Sequence, residues 1–308
     1  MMIRIATRSS ALALAQATQV ADLLGGAELV EASSDGEPGD KARFVRGVER
    51  ALIENRADVG VHSAKDLPSG MPDGLAIAAV PPREDARDVW IGPGSSLEDV
   101  PEGVRVGTAS LRRRAQLLAA RPDLRVEELH GNVDTRLRKL AEGELDAIVL
   151  AAAGLRRLGR EAEAAFAIPT EAMTPAAGQG ALALQARAEN ETGWHAAAGI
   201  GDDASMRELA AERAAVTLLE ASCTSPIGVH ARVERVRSRG ESQPEGESLV
   251  VDAFVGLPGG SEWIRDRVEG DAANPAEAGE LLAERLLAAG AHDILDRAKE
   301  WTDERSGL

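Results

Sequence analysis

The strongest constraint on the fold is a strand–helix alternation that stops once and starts again. Short apolar runs at 3–6, 27–31, 58–62 and 75–79 read as strands, and 9–24 and 42–54 carry apolar residues at helical spacing. Pro81-Pro82 breaks the pattern. It resumes with strands over 87–91, 104–107, 125–129 and 146–150 and helices over 110–120, 133–142 and 151–158, until Pro169 and Pro175 close it. This alternation predicts α/β domains with largely parallel pairing.

The two blocks open alike. Ile5-Ala6-Thr7-Arg8-Ser9-Ser10 leads into a helix containing Gln16, and Val106-Gly107-Thr108-Ala109-Ser110 into one containing Gln116. Two related domains facing across a cleft are expected. Residues 181–186 read as a strand returning to the first domain, with hinges near 81–87 and 174–181. The expected division is 1–82 with 178–200, then 83–177, then an α+β unit over 201–308. In that last unit a helix over 203–220 precedes Cys223, and strands fit 227–236, 249–256 and 262–269. The polar stretch 237–248 reads as a long, mobile hairpin loop.

Charge narrows the function. Asp plus Glu is 51 against 35 Lys plus Arg, a net charge of −16. Nucleic acid and anionic membrane surfaces are therefore not expected partners. No apolar stretch approaches the roughly 18–20 residues of a membrane helix. The apolar run after Arg4 and Arg8, with Ala15-Gln16-Ala17 resembling a cleavage site, is short and interrupted, so a cytoplasmic protein is expected. Only Lys41, Lys65, Lys139 and Lys299 are lysines, and tyrosine is absent. A halophilic source fits this composition. A GC-rich genome also favours Arg and Ala, but does not by itself produce so large an acidic excess. One cysteine and five scattered histidines argue against a disulfide framework and a zinc site, so no metal is expected.

An acidic chain that gathers bases at strand ends points to a small polyanion. Arg8, then Arg112, Arg113 and Arg114, sit in first helical turns, where a cation opposes the helix dipole unless an anion joins it. Ordinary Ser and Thr capping beside solvated arginines is the competing account. Lys65, Arg136 and Arg156-Arg157 follow predicted strands, where open α/β sheets bind ligands. No nucleotide-phosphate loop occurs. Gly178-Gln179-Gly180 precedes a strand and opens no helix, so it reads as a hinge or ligand-facing turn. Asp66, in His62-Ser63-Ala64-Lys65-Asp66-Leu67-Pro68, ends a predicted strand. It can stabilise a cation or shuttle a proton, or it can form a structural ion pair. Cys223 follows a predicted helix and is either an inert thiol or a nucleophile.

Taken together, Arg4–Arg8, Leu52–Asp58 with His62–Pro68, Gly107–Arg113, Gly131–Arg136, Ala153–Gly159, Pro175–Gly180 and Cys223 with Pro226-Ile227-Gly228 resemble the porphobilinogen deaminase (hydroxymethylbilane synthase) family in order along nearly the whole chain. The resemblance implies two periplasmic-binding-protein-like domains around a cleft, plus a smaller third. It implies a dipyrromethane cofactor joined by thioether to Cys223, onto which four porphobilinogen molecules are condensed with loss of ammonia before water releases hydroxymethylbilane. Asp66 would be the catalytic carboxylate, stabilising cationic pyrrole species. Ser63, Lys65, Thr108, Ser110, Arg112, Arg113 and Arg136 would hold the cofactor. Arg8, Ser10, Gln16, His130, Arg157 and Gln179 would hold substrate carboxylates. Lys41 and Phe44 would lie on a covering loop. A monomer is expected.

The chain departs from the family at several points: His130 and Leu218 replace usual arginines, Ala109 a usual serine, and Ala221-Ser222 a usual glycine pair, while Gly39–Phe44 is less glycine-rich. Two rivals stand beside this reading. A non-catalytic binding or sensor protein on the same scaffold needs neither Cys223 on a third unit nor Asp66 among bases. An acyl or phosphoryl transferase lacks a partner histidine or phosphate loop.

Overall fold

A computed structural model describes residues 2–33, 43–222, 224–236 and 246–306, with only the backbone for 43, 44 and 302–306. The first lobe holds β1 (Ile3–Thr7), α1 (Ala11–Leu23), β2 (Ala27–Glu31), α2 (Arg43–Ile53), β3 (Val59–Ser63), a single 3-10 turn (Ala64–Asp66) and β4 (Leu75–Ala79). The chain then crosses into a second lobe. That lobe holds β5 (Asp88–Ile91), β6 (Arg105–Gly107), α3 (Leu111–Ala120), β7 (Arg125–Glu127), α4 (Val133–Ala141), β8 (Ala147–Ala151), α5 (Ala152–Arg157) and β9 (Phe166–Ala167). It returns through β10 (Leu182–Arg187) and α6 (Glu191–Ala198). The last unit comprises α7 (Asp203–Leu218), β11 (Ile227–Val236), β12 (Gly246–Gly256), β13 (Trp263–Asp271), α8 (Pro275–Ala288) and α9 (Ala291–Ser306).

The two lobes share one plan. Their sheets run β2-β1-β3-β10-β4 and β7-β6-β8-β5-β9. In each sheet the fourth strand is the one that arrives from the other lobe. It runs antiparallel to both neighbours: β10 between β3 and β4, β5 between β8 and β9. The expectation of largely parallel pairing needs this correction. A strand entering from the opposite lobe meets the sheet from the far end, so it can only insert head to tail. Strands such as Val-Gly-Val-His-Ser and Ala-Ile-Val-Leu-Ala are buried along nearly their whole length, as expected with helices on both faces. Each fully buried Val or Leu contributes about 1.5–3 kcal/mol.

The third unit is an antiparallel meander, β11-β12-β13, whose apolar face packs under α7 and α8. Pairing of β11 with β12 extends to Glu234↔Ser248 and Val236↔Gly246. Residues 246–248, read from sequence as loop, are therefore strand. Backbone ladders need no apolar side chains, which is why composition hid them. The rest of that stretch, 237–245, lies outside the described residues. The two-residue β9 and helix α6, capped by the Asn190 side chain, have no counterpart in the sequence reading.

A buried polar knot joins the three units. Arg83, on the outbound crossing, donates to Glu212 of α7 at 2.7 Å, and Glu212 also accepts from the Gly178 amide on the return crossing and from Ala231 of β11. The crossings run side by side here. Gly180 has φ +88, and a side chain there would strike the Glu84 carbonyl. The close approach of the two crossings therefore requires the second glycine of Gly178-Gln179-Gly180. Among the described residues no helix is long and apolar enough to cross a membrane.

Candidate active site

The carboxyl ends of the parallel strands carry most of the residues singled out from sequence. Arg8 and Ser10 follow β1, and Ser10 caps α1 by accepting from the Ala13 amide. Ser63 ends β3, and its hydroxyl accepts from the buried Gln16 amide at 2.8 Å, tying α1 to the turn that holds Asp66. In the second lobe the Thr108 hydroxyl accepts from the Ser110 amide, and Ser110 caps α3 by accepting from Arg113. Capping is thus real at both anchor turns.

Asp66 does not end a strand. It closes the one-turn 3-10 helix that follows β3, and it is exposed. Among the described residues, no hydrogen bond or ion pair engages its carboxylate. The structural ion-pair account is not what this geometry shows. Beside it, burial pushes Lys65 down to about 8, and repulsion from Arg113 adds to the shift while Asp66 and Asp88 oppose it. These charges come from both lobes, so the turn faces across to α3.

Arg112 and Arg113 are not free arms. Both are buried and converge on Asp88 of β5, at 2.7 and 2.8 Å. Arg112 also donates to the Thr174 carbonyl, Arg113 to the Val149 carbonyl, and Gln179 donates to Asp88 and to the Ala86 carbonyl. Asp88 sits well below the usual carboxylate range. Burial opposes its ionisation, but the Arg112 and Arg113 charges and the hydrogen bonds prevail. Two guanidiniums on one carboxylate leave a net positive cluster at the start of α3.

Arg136 and Arg157 differ from this pair in having no acid to hold them. Arg136 is half-buried; among the described residues its side chain's only hydrogen bond is to the Gly131 carbonyl, and burial with repulsion from Arg113 lowers its pKa to about 10. Arg157 donates to the Gly180 carbonyl and to Gln19, and burial lowers it likewise to about 10. Neither has an acid partner within hydrogen-bond reach among the described residues. A partly desolvated guanidinium held only by carbonyls is complementary to a carboxylate. This donor set fits a ligand bearing several carboxylates.

His130 is turned elsewhere. Its Nε2 lies 2.7 Å from Glu128, with both side chains about three-quarters exposed, so the ring has an acid partner in its own chain. Lys41 and Cys223 lie outside the described residues, and of Phe44 only the backbone, in the first turn of α2, is described. Among the described residues no cluster of His, Cys, Asp or Glu fits a metal.

Sequence reasoning missed Asp88, Arg83 and Glu212. Asp88 did carry a signal, being the one charge in an otherwise apolar strand, Asp-Val-Trp-Ile. Beneath the site, His62 hydrogen-bonds Gln185, which in turn donates to Glu49. That orientation of the amide puts the ring proton on Nε2, and burial pushes His62 down to about 4.

The family described as "Porphobilinogen deaminase, dipyromethane cofactor binding domain" matches residues 3–194, and its C-terminal domain matches 206–288. Porphobilinogen deaminase of Brevibacillus brevis is 40% identical over 95% of this chain and 96% of its own length. The Oceanobacillus iheyensis protein of the same name is 38% identical over 98% and 99%. Among solved structures, a TRAP periplasmic solute binding protein from Desulfovibrio salexigens aligns at 11% identity over 65% of this chain and 72% of its own, with a TM-score of 0.39. At that level the likeness carries no argument.

Proposed function

The chain belongs to the porphobilinogen deaminase family, and from that premise we propose that it is a transferase of tetrapyrrole biosynthesis that condenses four porphobilinogen molecules head to tail and releases hydroxymethylbilane. The observation that carries the reading is the unpaired Asp66 carboxylate beside Lys65, set in a cleft whose half-buried Arg136 and Arg157 lack acids. Each pyrrole of the substrate brings two carboxylates, which such a cleft complements.

The residues divide the work by charge. Asp66 is the one free anion among these bases. It is repelled by the substrate acids and attracted to the pyrrole N–H and to positive charge developing when ammonia leaves, so it stabilises that charge and handles the N–H proton. Lys65, Arg136 and Arg157 bind and orient carboxylates, with Arg8, Ser10, Ser63, Thr108 and Ser110 framing the strand ends. Arg112, Arg113 and Gln179 act together with Asp88 as a fixed positive wall. When bound, the dipyrromethane supplies the growing point of the chain. We place its attachment as a thioether at Cys223, with Lys41 and Phe44 on a covering segment. We divide the chain into 1–82 with 178–200, 83–177 and 201–308, a division that the three separate sheets support. A cytoplasmic monomer is the state that accords with this reading. The net charge of −16 supports a high-salt interior.

Intact mass and turnover test this. The purified protein should exceed its chain mass by the dipyrromethane adduct, and Cys223→Ala should lose both adduct and activity. Asp66→Asn should keep the adduct and lose turnover by roughly 100-fold or more. An active Cys223→Ala protein overturns the attachment, and an unimpaired Asp66→Asn overturns the catalytic role.

A further inference from the structure

The turn that presents Asp66 is too short to hold itself. Its only internal backbone bond is Leu67 N–H to the Ala64 carbonyl, at 3.2 Å. Beyond the Ala64 amide's bond to the Ala181 carbonyl at 3.0 Å and the Gln16–Ser63 bond just upstream, three contacts fix it. Gly178 lies against it so closely that a side chain there would stand 2.8 Å from the Lys65 nitrogen. Leu67 and Ala64 pack with Leu209 of α7 in one apolar cluster. The third contact is polar. Nη2 of Arg213, also on α7, donates to the Pro68 carbonyl at 3.0 Å and to the Ser69 carbonyl at 2.9 Å.

Arg213 is unusual for its surroundings. It is half-buried, burial lowers its pKa, and no carboxylate among the described residues offsets that cost. A guanidinium serving only solubility would face water or an acid. This one is committed to two carbonyls directly downstream of Asp66. Its helix also ends at Leu218, five positions before Cys223. The neighbouring Glu212 grips the same turn from behind, through the Gly178 amide at 2.5 Å.

We propose that Arg213 is a positioning residue that fixes the Asp66 turn against the unit bearing Cys223, so that the carboxylate and the attachment side of the cleft keep one relative geometry through successive additions. The proposal rests on the functional reading above. Arg213 touches no reacting atom. Its effect is to hold the Asp66 carboxylate where positive charge develops, and a displacement of even about 1 Å at such a group costs rate steeply.

The test compares Arg213→Met and Arg213→Lys with the wild type. In the Met variant, hydrogen exchange at the Ala64 and Leu67 amides, the two of this turn that donate to backbone carbonyls, should accelerate. Turnover per adduct-bearing molecule, counted by intact mass, should fall roughly 10- to 100-fold, with KM changed by no more than about twofold. Both bonds leave from one nitrogen, so an ammonium can replace them. Arg213→Lys should therefore restore most of the turnover and the slow exchange. A purely structural role predicts something else: fewer folded, adduct-bearing molecules, each turning over at the wild-type rate. That result overturns the proposal, as does unchanged exchange at those amides in the Met variant. If the Met variant does not fold, Arg213→Gln against Arg213→Lys makes the same comparison. A wild-type protein that does not consume porphobilinogen overturns the functional reading itself, while local exchange still reports whether Arg213 holds the turn.

Discussion

Replacing Asp88 by Asn changes one atom and removes the only anion in a buried cluster. The carboxylate is fully buried in β5 and receives four hydrogen bonds: Arg112 Nη1 at 2.7 Å, Arg113 Nε at 3.0 Å and Nη2 at 2.8 Å, and Gln179 Nε2 at 3.0 Å. An asparagine fills the same space, but its amide nitrogen must face a guanidinium, and two buried cations lose their counter-ion. Removing one partner of a buried pair costs about 3–5 kcal/mol, mostly because of the charge left behind. With m of about 3 kcal/mol per M or more for a chain of this length, the urea midpoint should fall by about 1 M. Tryptophan fluorescence is a suitable probe, because Trp90 lies two residues away and is fully buried.

Three controls separate this from a surface effect. Buried pairs are little screened, so the loss should persist in molar potassium chloride. Arg112→Met in the same chain removes one of the stranded charges, so the double variant should lose less than the two single losses combined. The pH dependence has a definite sign. The Asp88 pKa is depressed on folding, so its contribution is fully present above the unfolded carboxylate value of about 3.9 and is lost as pH falls through and below it. Wild type and Asp88→Asn should therefore differ at neutral pH and converge in acid. A midpoint change below about 0.3 M, or one abolished by salt, would refute the reasoning.

His130→Arg should leave the curve of Michaelis constant against pH parallel to wild type, because Glu128 takes up the charge in either case; a variant that holds affinity at alkaline pH where wild type loses it would show His130 facing the ligand. The acidic excess predicts a thermal midpoint that rises from dilute buffer to molar potassium chloride as surface carboxylates are screened, whereas a flat profile would favour genomic composition as the cause.

The sequence was most legible where periodicity and punctuation agree. β1, β4, α3 and α4 fall within one or two residues of their expected bounds, because apolar spacing and side-chain caps at Ser110 and Asn132 act locally. Strand order was half legible. The return through 181–186 was expected, but its antiparallel insertion is decided by where the chain re-enters the sheet, which no local pattern encodes. Within the candidate site, residue types singled out the clustered bases but not their tethers. Nothing near Arg112 in sequence reveals that Asp88, 24 positions away, neutralises it, or that Arg213, 144 positions beyond Ser69, grips the Asp66 turn.

One plan used twice explains how acid and base came to be divided between the lobes. β10 begins at Leu182, paired with Ser63 at the end of β3, and β5 begins at Asp88, paired with Ala151 at the end of β8. Leu182 and Asp88 are therefore equivalent positions. In the first lobe that position is apolar, the facing helix opens Ala-Leu-Ala, and nothing draws in the acid that follows β3, so Asp66 stays exposed. In the second lobe it is an acid, the facing helix opens Leu-Arg-Arg-Arg, and two guanidiniums can be buried with net positive charge because Asp88 meets them. Exchanging the two residues would leave Asp66 competing with a second acid in its own lobe and Arg112 and Arg113 without any. The asymmetry at this one strand start lets a duplicated scaffold present a free carboxylate on one side of the cleft and a fixed positive wall on the other.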